Sequence, residues 1–465
     1  MFYTTGMSAD VGPSDPASVG INQIPVRAIN TKRNTATMAE IKQAIAEAGG
    51  AIPFSQYQNI ALYGRDGYYS RGKADIRGAR GDFKTWPVVS TDFCEAIAVA
   101  IDKIWVAMGQ PKRLSLVESG AGNGMMMKDI LVWMRTERPG LYASVTVHIV
   151  EQGDMALKQR LTIAGKNDPD STLRRGSPAE TSTPDEHAAD IRKVRWHRGS
   201  AIEAVVGQGG ATVFISNELP DVFPVEIVRR KSGVLQQKYV NMDNGQLAEV
   251  WHPLQPEVQQ YLDDFSVDVS EGGEITVNLN AVAWQRHLNT LLGSDDNPGA
   301  IITVDYGTEG PREVRSSDSV QHHDGPMDGA QGAPDVAPPQ IDKVMRTYPL
   351  GLGVLEAPGE LDLTSDVDFR VLAQVAREGG LDVAFSGTQS TFVTVCGVPT
   401  LSQMEAIRPT TDAMRIRTHA TRLLYFHDGP YLALVLTRGI SVDFSIPAPP
   451  LSAYKGLVPD AELTS

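Results

Sequence analysis

The sequence is poor in cysteine: it has only Cys94 and Cys396, far apart and in apolar settings. Two distant thiols make no disulfide framework and no CxxC redox or zinc pattern. They are expected as buried free thiols in a reducing compartment. Long apolar runs are lacking too. The longest candidates, 96–108 and 431–436, are interrupted by charge or too short for the roughly 18 residues that span a bilayer. Basic charge is in deficit, with 42 Lys and Arg against 56 Asp and Glu and a formal net charge of -14. That balance argues against a broad footprint for nucleic acid or for an anionic membrane surface. No basic-then-apolar order marks a secretory signal, because Asp10 and Asp15 come early with no apolar core after them. Arg27, Lys32 and Arg33 leave a mitochondrial address open beside the cytoplasmic location expected here. There is no G-x-x-x-x-G-K-[ST] phosphate loop, no G-x-S-x-G elbow and no internal repeat.

What is present is an ordinary globular composition, 42% apolar and 21% charged over 465 residues. Such a length suits about three domains, or one large α/β domain with insertions. Residues 1–36, rich in Ser, Pro, Gly and Thr, read as a flexible leader. A helical and loop segment follows over 37–110, with helices expected at 38–48, 55–63 and 91–108 and a long glycine- and tyrosine-containing loop at 64–81. From 111 to 445 strands alternate with helices. Strands are predicted at 114–117, 145–150, 211–215 and 300–304, and helices at 125–135, 155–163, 284–292 and 367–378. Insertions interrupt the alternation at about 166–190, 225–295 and 308–340, the second of them a β-ribbon with a helix. Residues 423–426 are expected to turn at Asp428-Gly429 into a strand at 431–437, and 446–465 form a tail. The pattern predicts an α/β fold with a Rossmann-like, mostly parallel sheet and an antiparallel C-terminal edge hairpin.

The first chemical motif is Glu118-Ser119-Gly120-Ala121-Gly122-Asn123-Gly124, which follows a strand and opens a helix. Its glycines serve a tight turn and a ligand that approaches the backbone closely. A dinucleotide fingerprint would read G-x-G-x-x-G. Here Glu118 stands before the first glycine, where a carboxylate repels phosphate and attracts an amino or sulfonium group. Glu151 closes the next strand and can accept both hydroxyls of a ribose. Together these residues describe a nucleoside with a cationic amino-acid tail, namely S-adenosyl-L-methionine. Glycine turns and strand-end acids also occur in α/β proteins that bind nothing of the kind.

The second motif, Asn217-Glu218-Leu219-Pro220-Asp221, follows a buried strand, so its acids and amide are expected in the crevice beyond the strand ends. A loop or helix cap is the plainer alternative. His148 is expected to pack inside its strand, and His322-His323-Asp324 to lie in a solvated loop, so no metal site is expected.

In this order the chain resembles the MidA-type (DUF185) methyltransferase family, which includes a mitochondrial arginine methyltransferase of complex I assembly. The matching stretches are Gly81-Asp82-Phe83-Lys84-Thr85-Trp86-Pro87-Val88-Val89-Ser90, Glu118 to Gly124, Asn217 to Pro224, Asp305-Tyr306-Gly307, and Pro358 to Phe369. They lie within residues 37–438. The resemblance implies a class I methyltransferase fold, with Gly81, Asp82, Thr85, Glu118, Gly120, Gly122, Gly124 and Glu151 at the cofactor. It also implies a protein arginine as methyl acceptor, facing Asn217, Glu218 and Asp221. The chain departs from the family at Trp86 and Val88, at Ala121 and Asn123, and at Leu219-Pro220, which alters the acceptor side more than the cofactor side. A more apolar pocket would also suit methylation of a small-molecule carboxylate or hydroxyl. A non-catalytic assembly factor that keeps the fold is a third reading, and a homodimer is compatible with all three.

Overall fold

The computed structural model describes residues 31–70, 85–151, 155–166, 182–198, 210–293, 297–311, 313–315, 344–348, 352–409, 411–426, 431–455 and 457. Gly81, Asp82, the histidine pair 322–323 and most of the 308–340 insertion lie outside them. Three strands make the centre: Leu114–Ser119, Ala211–Asn217 and Gly299–Thr308. The second is buried throughout and the third at all but its last residue. They read as continuous apolar runs because both faces of a parallel sheet are covered.

The eight-stranded sheet runs, edge to edge, Val194–Arg198, Val145–Glu151, Leu114–Ser119, Ala211–Asn217, Gly299–Thr308, Tyr431–Arg438 and Asp382–Thr388. The short Val367–Asp368 adds a parallel pairing at Gly307 and Thr308. Alternate side chains point to opposite faces. Leu116, Val213, Ile215 and Ile302 meet the Thr91–Ala107 and Met125–Glu137 helices on one side. Val117, Phe214, Ile301 and Leu434 meet Leu279–Leu292 and Phe369–Glu378 on the other. Both cysteines are buried thiols.

Between Asn217 and Gly299 the chain builds a separate antiparallel sheet from Glu226–Lys231, Val234–Asp243, Gln246–His252 and Gly273–Val277. Ala51–Pro53 and Val314–Arg315 close its flanks. Ile41, Phe54, Tyr57 and Leu62 of the N-terminal helices pack against this layer. The first of those helices, Thr31–Glu47, begins earlier than the sequence pattern predicts.

The expected C-terminal hairpin is corrected in detail. The antiparallel edge exists, but Leu423 and its neighbours finish the helix Asp412–Phe426, and the partner of Tyr431–Arg438 is Asp382–Thr388. Leu424 faces the core at helical spacing from Thr421 and Arg417, a period that a four-residue window cannot separate from a strand. Asp428-Gly429 lies outside the described residues. The sequence reading also lacks the edge strand Val194–Arg198, whose Val-Arg-Trp-His-Arg has one buried aliphatic residue and so no apolar alternation.

One buried ionic cluster ties the last described segment to the body. Arg417 Nε donates to Asp92 Oδ1 at 2.7 Å, and its Nη2 bonds both Asp92 and Glu95. Tyr454 donates its hydroxyl to Asp92 Oδ2 at 2.6 Å.

Candidate functional site

Numbered along its path, the main sheet reads 3-2-1-4-5-7-6 with strand seven reversed. The order in which the chain adds strands reverses between Leu114–Ser119 and Ala211–Asn217, which run parallel, and a crevice opens beyond the carboxyl ends at such a switch point. Register places Glu118 opposite Ile215, Ser119 opposite Ser216, and Asn217 opposite Val304. The two motifs therefore flank one crevice.

On the glycine side, Gly120, Gly122 and Gly124 have φ of +69°, +54° and +83°, a region that favours glycine. A Cβ on Gly120 would stand 2.9 Å from Leu219 Cδ1, and one on Gly124 would stand 3.1 Å from Gln159 Cα. Gly124 then opens the Met125–Glu137 helix, whose first N–H groups point back to the turn. Glu118 is buried beneath the loop. Glu151 ends its strand half-buried, with Oε2 facing Gln159 Nε2. This cradle combines bare backbone at the glycine turn with two acids, Glu118 beneath it and Glu151 at the neighbouring strand end. Those residues fit S-adenosyl-L-methionine.

On the other side, Glu218 adopts φ +49°, a strained conformation for a residue with a side chain. Its own N–H donates to Val304 O at 2.9 Å, which fixes the turn against the neighbouring strand. Its Oε1 accepts from the Trp86 backbone N–H at 3.4 Å and from Asn217 Nδ2 at 3.3 Å. Thr85 is buried as the residue that precedes the short Trp86–Val89 helix. Asp221 donates its backbone N–H to Asp305 Oδ2 at 3.2 Å.

Three carboxylates thus converge: Glu218, Asp221 and Asp305, all buried. Burial, then Asp221, then Glu218 hold the Asp305 carboxyl well above the usual carboxylate range. Burial and Asp221 likewise push the Tyr306 phenol up. Beyond them Arg346 lies 4.7 Å over the Tyr306 ring and pairs with Asp366 at 2.6 Å. Tyr431 contacts Trp86 and Tyr306 edge-on, with centroids 5.8 and 5.7 Å apart.

Asn217, Glu218 and Asp221 thus sit together, across the switch point from Glu118, Gly120, Gly122, Gly124 and Glu151. Gly81 and Asp82 are not among the described residues. The sequence reading gave no role to Asp305, Tyr306, Arg346 or Gln159. Asp305-Tyr306 was visible as a strand-end motif, whereas nothing local marks Arg346 or Gln159. His148, expected as packing, is buried and bonds His197 at 2.9 Å between ring nitrogens. Among the described residues no cluster of three or more His, Cys, Asp or Glu could hold a metal ion.

This strand order with a glycine cradle at the switch point defines a class I, S-adenosyl-L-methionine-dependent methyltransferase. Residues 96–386 match the model of the S-adenosyl-L-methionine-dependent methyltransferase family Methyltransf_28, and the chain belongs to that family. It is 26% identical over 339 residues to "Protein arginine methyltransferase NDUFAF7, mitochondrial" of Xenopus tropicalis, covering 71% of this chain and 68% of the relative. Against the Danio rerio protein of the same name it is 26% identical over 376 residues, covering 78% and 77%. A Burkholderia thailandensis protein solved with S-adenosyl-homocysteine shares the fold at a TM-score of 0.65 and 21% identity, over 93% of this chain and 98% of that one. Among the described residues no helix is long and apolar enough to cross a membrane.

Proposed function

We propose that this methyltransferase acts on the guanidinium of a protein arginine, bound where Glu218, Asp221 and Asp305 converge. The observation that carries this reading is that group of buried acids gathered at the carboxyl ends of the central strands, beside the switch point. Acids there attract a cation and repel a carboxylate. The relatives' name, which specifies protein arginine, supports the same acceptor. When bound, the cofactor supplies an electrophilic methyl carbon on a sulfonium. Glu118 would hold the cationic tail and Glu151 the ribose.

The acceptor guanidinium stays protonated at neutral pH, so its nitrogen is a poor nucleophile until it is oriented and can release a proton. Glu218 and Asp221 supply charge-assisted hydrogen bonds that align the nitrogen for in-line attack, and Glu218 takes the proton released. The Trp86 N–H and Asn217 keep the Glu218 carboxylate aimed. The Trp86, Tyr306 and Tyr431 rings form an apolar wall that would also suit a flat small-molecule acid or phenol. We place the protein in a reducing compartment, the cytoplasm or the mitochondrion, in keeping with its two buried thiols and with the relatives' mitochondrial names.

Glu218→Gln chooses between the acceptors. With arginine-containing substrates turnover should fall about 100-fold or more while cofactor affinity holds, because a buried cation loses its counter-charge. If Glu218→Gln is neutral on arginine substrates, or faster on a carboxylic acid, the guanidinium reading is wrong. Methyl incorporation into proteins against small aromatic acids is the measurement.

A further inference from the structure

Gln159 is wholly buried on the helix Ala156–Ile163, yet its amide bonds nothing in that helix. Its Nε2 donates to Gly122 O at 3.1 Å and, more weakly, to Glu151 Oε2 at 3.4 Å. Its Oε1 accepts the Trp196 indole N–H at 3.1 Å. The indole in turn lies under the Arg160 guanidinium, 4.0 Å from the ring centroid, which holds it in place. Gln159 Cα and Cβ also fill the space beside Gly124. One side chain therefore touches the middle of the glycine turn, the acid at the end of the second strand and the edge strand.

A buried amide that served only packing would be expected to return its hydrogen bonds to its own helix or to the nearest core backbone. Here the hydrogens of Nε2 divide between the two halves of the cradle, and the indole donor fixes which end of the amide faces them. We infer that Gln159 is a positioning residue for the cofactor: it sets the spacing between the Gly120–Gly124 turn and Glu151, with Trp196 locking its orientation. The inference rests on the reading that the turn and Glu151 together hold S-adenosyl-L-methionine.

The test titrates S-adenosyl-homocysteine into the full chain and measures kcat and both KM values. Gln159→Leu should weaken S-adenosyl-homocysteine about tenfold and raise the cofactor KM by a similar factor. The acceptor KM, and kcat at saturating cofactor, should stay near wild type. Gln159→Glu keeps the volume and the acceptor for Trp196 but aims a carboxylate at Glu151 and at a carbonyl. It should weaken the ligand more than Gln159→Leu, and it serves where Gln159→Leu folds poorly.

In the Glu151→Ala background the Gln159→Leu loss should shrink at least threefold, because residues that act as a unit are not additive. Additive losses, unchanged affinity in Gln159→Leu, or a fall in kcat with no change in cofactor KM would overturn the inference. Wild-type binding by Glu151→Ala alone would instead bring down the cradle reading itself, so the two failures are distinguishable.

Discussion

Replacing Glu95 with Gln tests the electrostatics of the buried cluster in isolation from the site. Glu95 accepts one bond, from Arg417 Nη2 at 2.9 Å, and its Oε1 is buried without a hydrogen-bond partner. Burial raises its carboxyl from 4.5 to about 7 against the pull of Arg417, and Asp92 adds to the rise. The folded protein therefore keeps this proton where the unfolded chain releases it. Stability from this group is complete below about pH 4.5, falls as pH rises towards 7, and is level above. At about 1.36 kcal/mol per unit, the interval is worth at most roughly 3 kcal/mol.

Gln mimics the protonated acid in shape and charge. Glu95→Gln and wild type should therefore have similar urea midpoints at pH 5 and diverge with pH. By pH 8 the variant should gain about 2–3 kcal/mol relative to wild type. Arg417→Met should behave in the opposite sense, losing roughly 3–5 kcal/mol at pH 8 by stranding two acids. Urea unfolding of the three proteins at pH 5, 6.5 and 8 gives the comparison. A difference between Glu95→Gln and wild type that stays constant within about 0.5 kcal/mol across that range refutes the reasoning.

Gly307→Ala should destabilise by about 1–3 kcal/mol, measured by urea midpoint, because its Cβ would overlap the Val367 carbonyl oxygen, which is backbone and cannot swing aside. Gly122→Val should remove S-adenosyl-homocysteine binding in a calorimetric titration, since a β-branched residue at φ +54° distorts the turn; retained affinity would place the cofactor elsewhere. Burial, with His197 and Arg195, pushes the His148 imidazole down to about 4. The unfolded chain thus takes up a proton first, and wild-type stability should drop as pH falls from 6.5 towards 4. His148→Gln should flatten that part of the melting profile, and an unaltered slope would contradict the assignment.

The central sheet was legible because its strands are buried on both faces and so carry apolar runs that polar loops interrupt. Glu118, Glu151 and Asn217 drew notice for a related reason, since each closes such an apolar run at the carboxyl end of its strand. Val194–Arg198 was not legible, because its one aliphatic residue, Val194, is followed by Arg, Trp and His and leaves no apolar period to detect. The end of Asp412–Phe426 misled for the converse reason, as a short apolar stretch before Asp-Gly reads equally as a hairpin arm. Gln159 and Arg346 were beyond reach on other grounds. Their significance lies in partners brought near only by folding, 37 residues away for Gly122 and Trp196. Arg346 meets Tyr306 across an insertion whose length hides the contact.

The bond from Tyr454 to Asp92 joins residues 362 positions apart. At ribosomal speeds of about 5–20 residues per second, the acid emerges roughly 20–70 s before the hydroxyl that will cover it. Arg417 arrives only shortly ahead of that hydroxyl. Throughout that interval the Thr91–Ala107 helix carries two acids destined for the interior with no cation to meet them, beside an apolar face still waiting for the reversed sheet strand. The central parallel strands can assemble early in synthesis, whereas this corner can close only once residues 417 to 454 have emerged. A nascent chain stalled before Arg417 would thus display an acidic, sticky helix, a form on which chaperones and proteases can act before any methyl group is transferred.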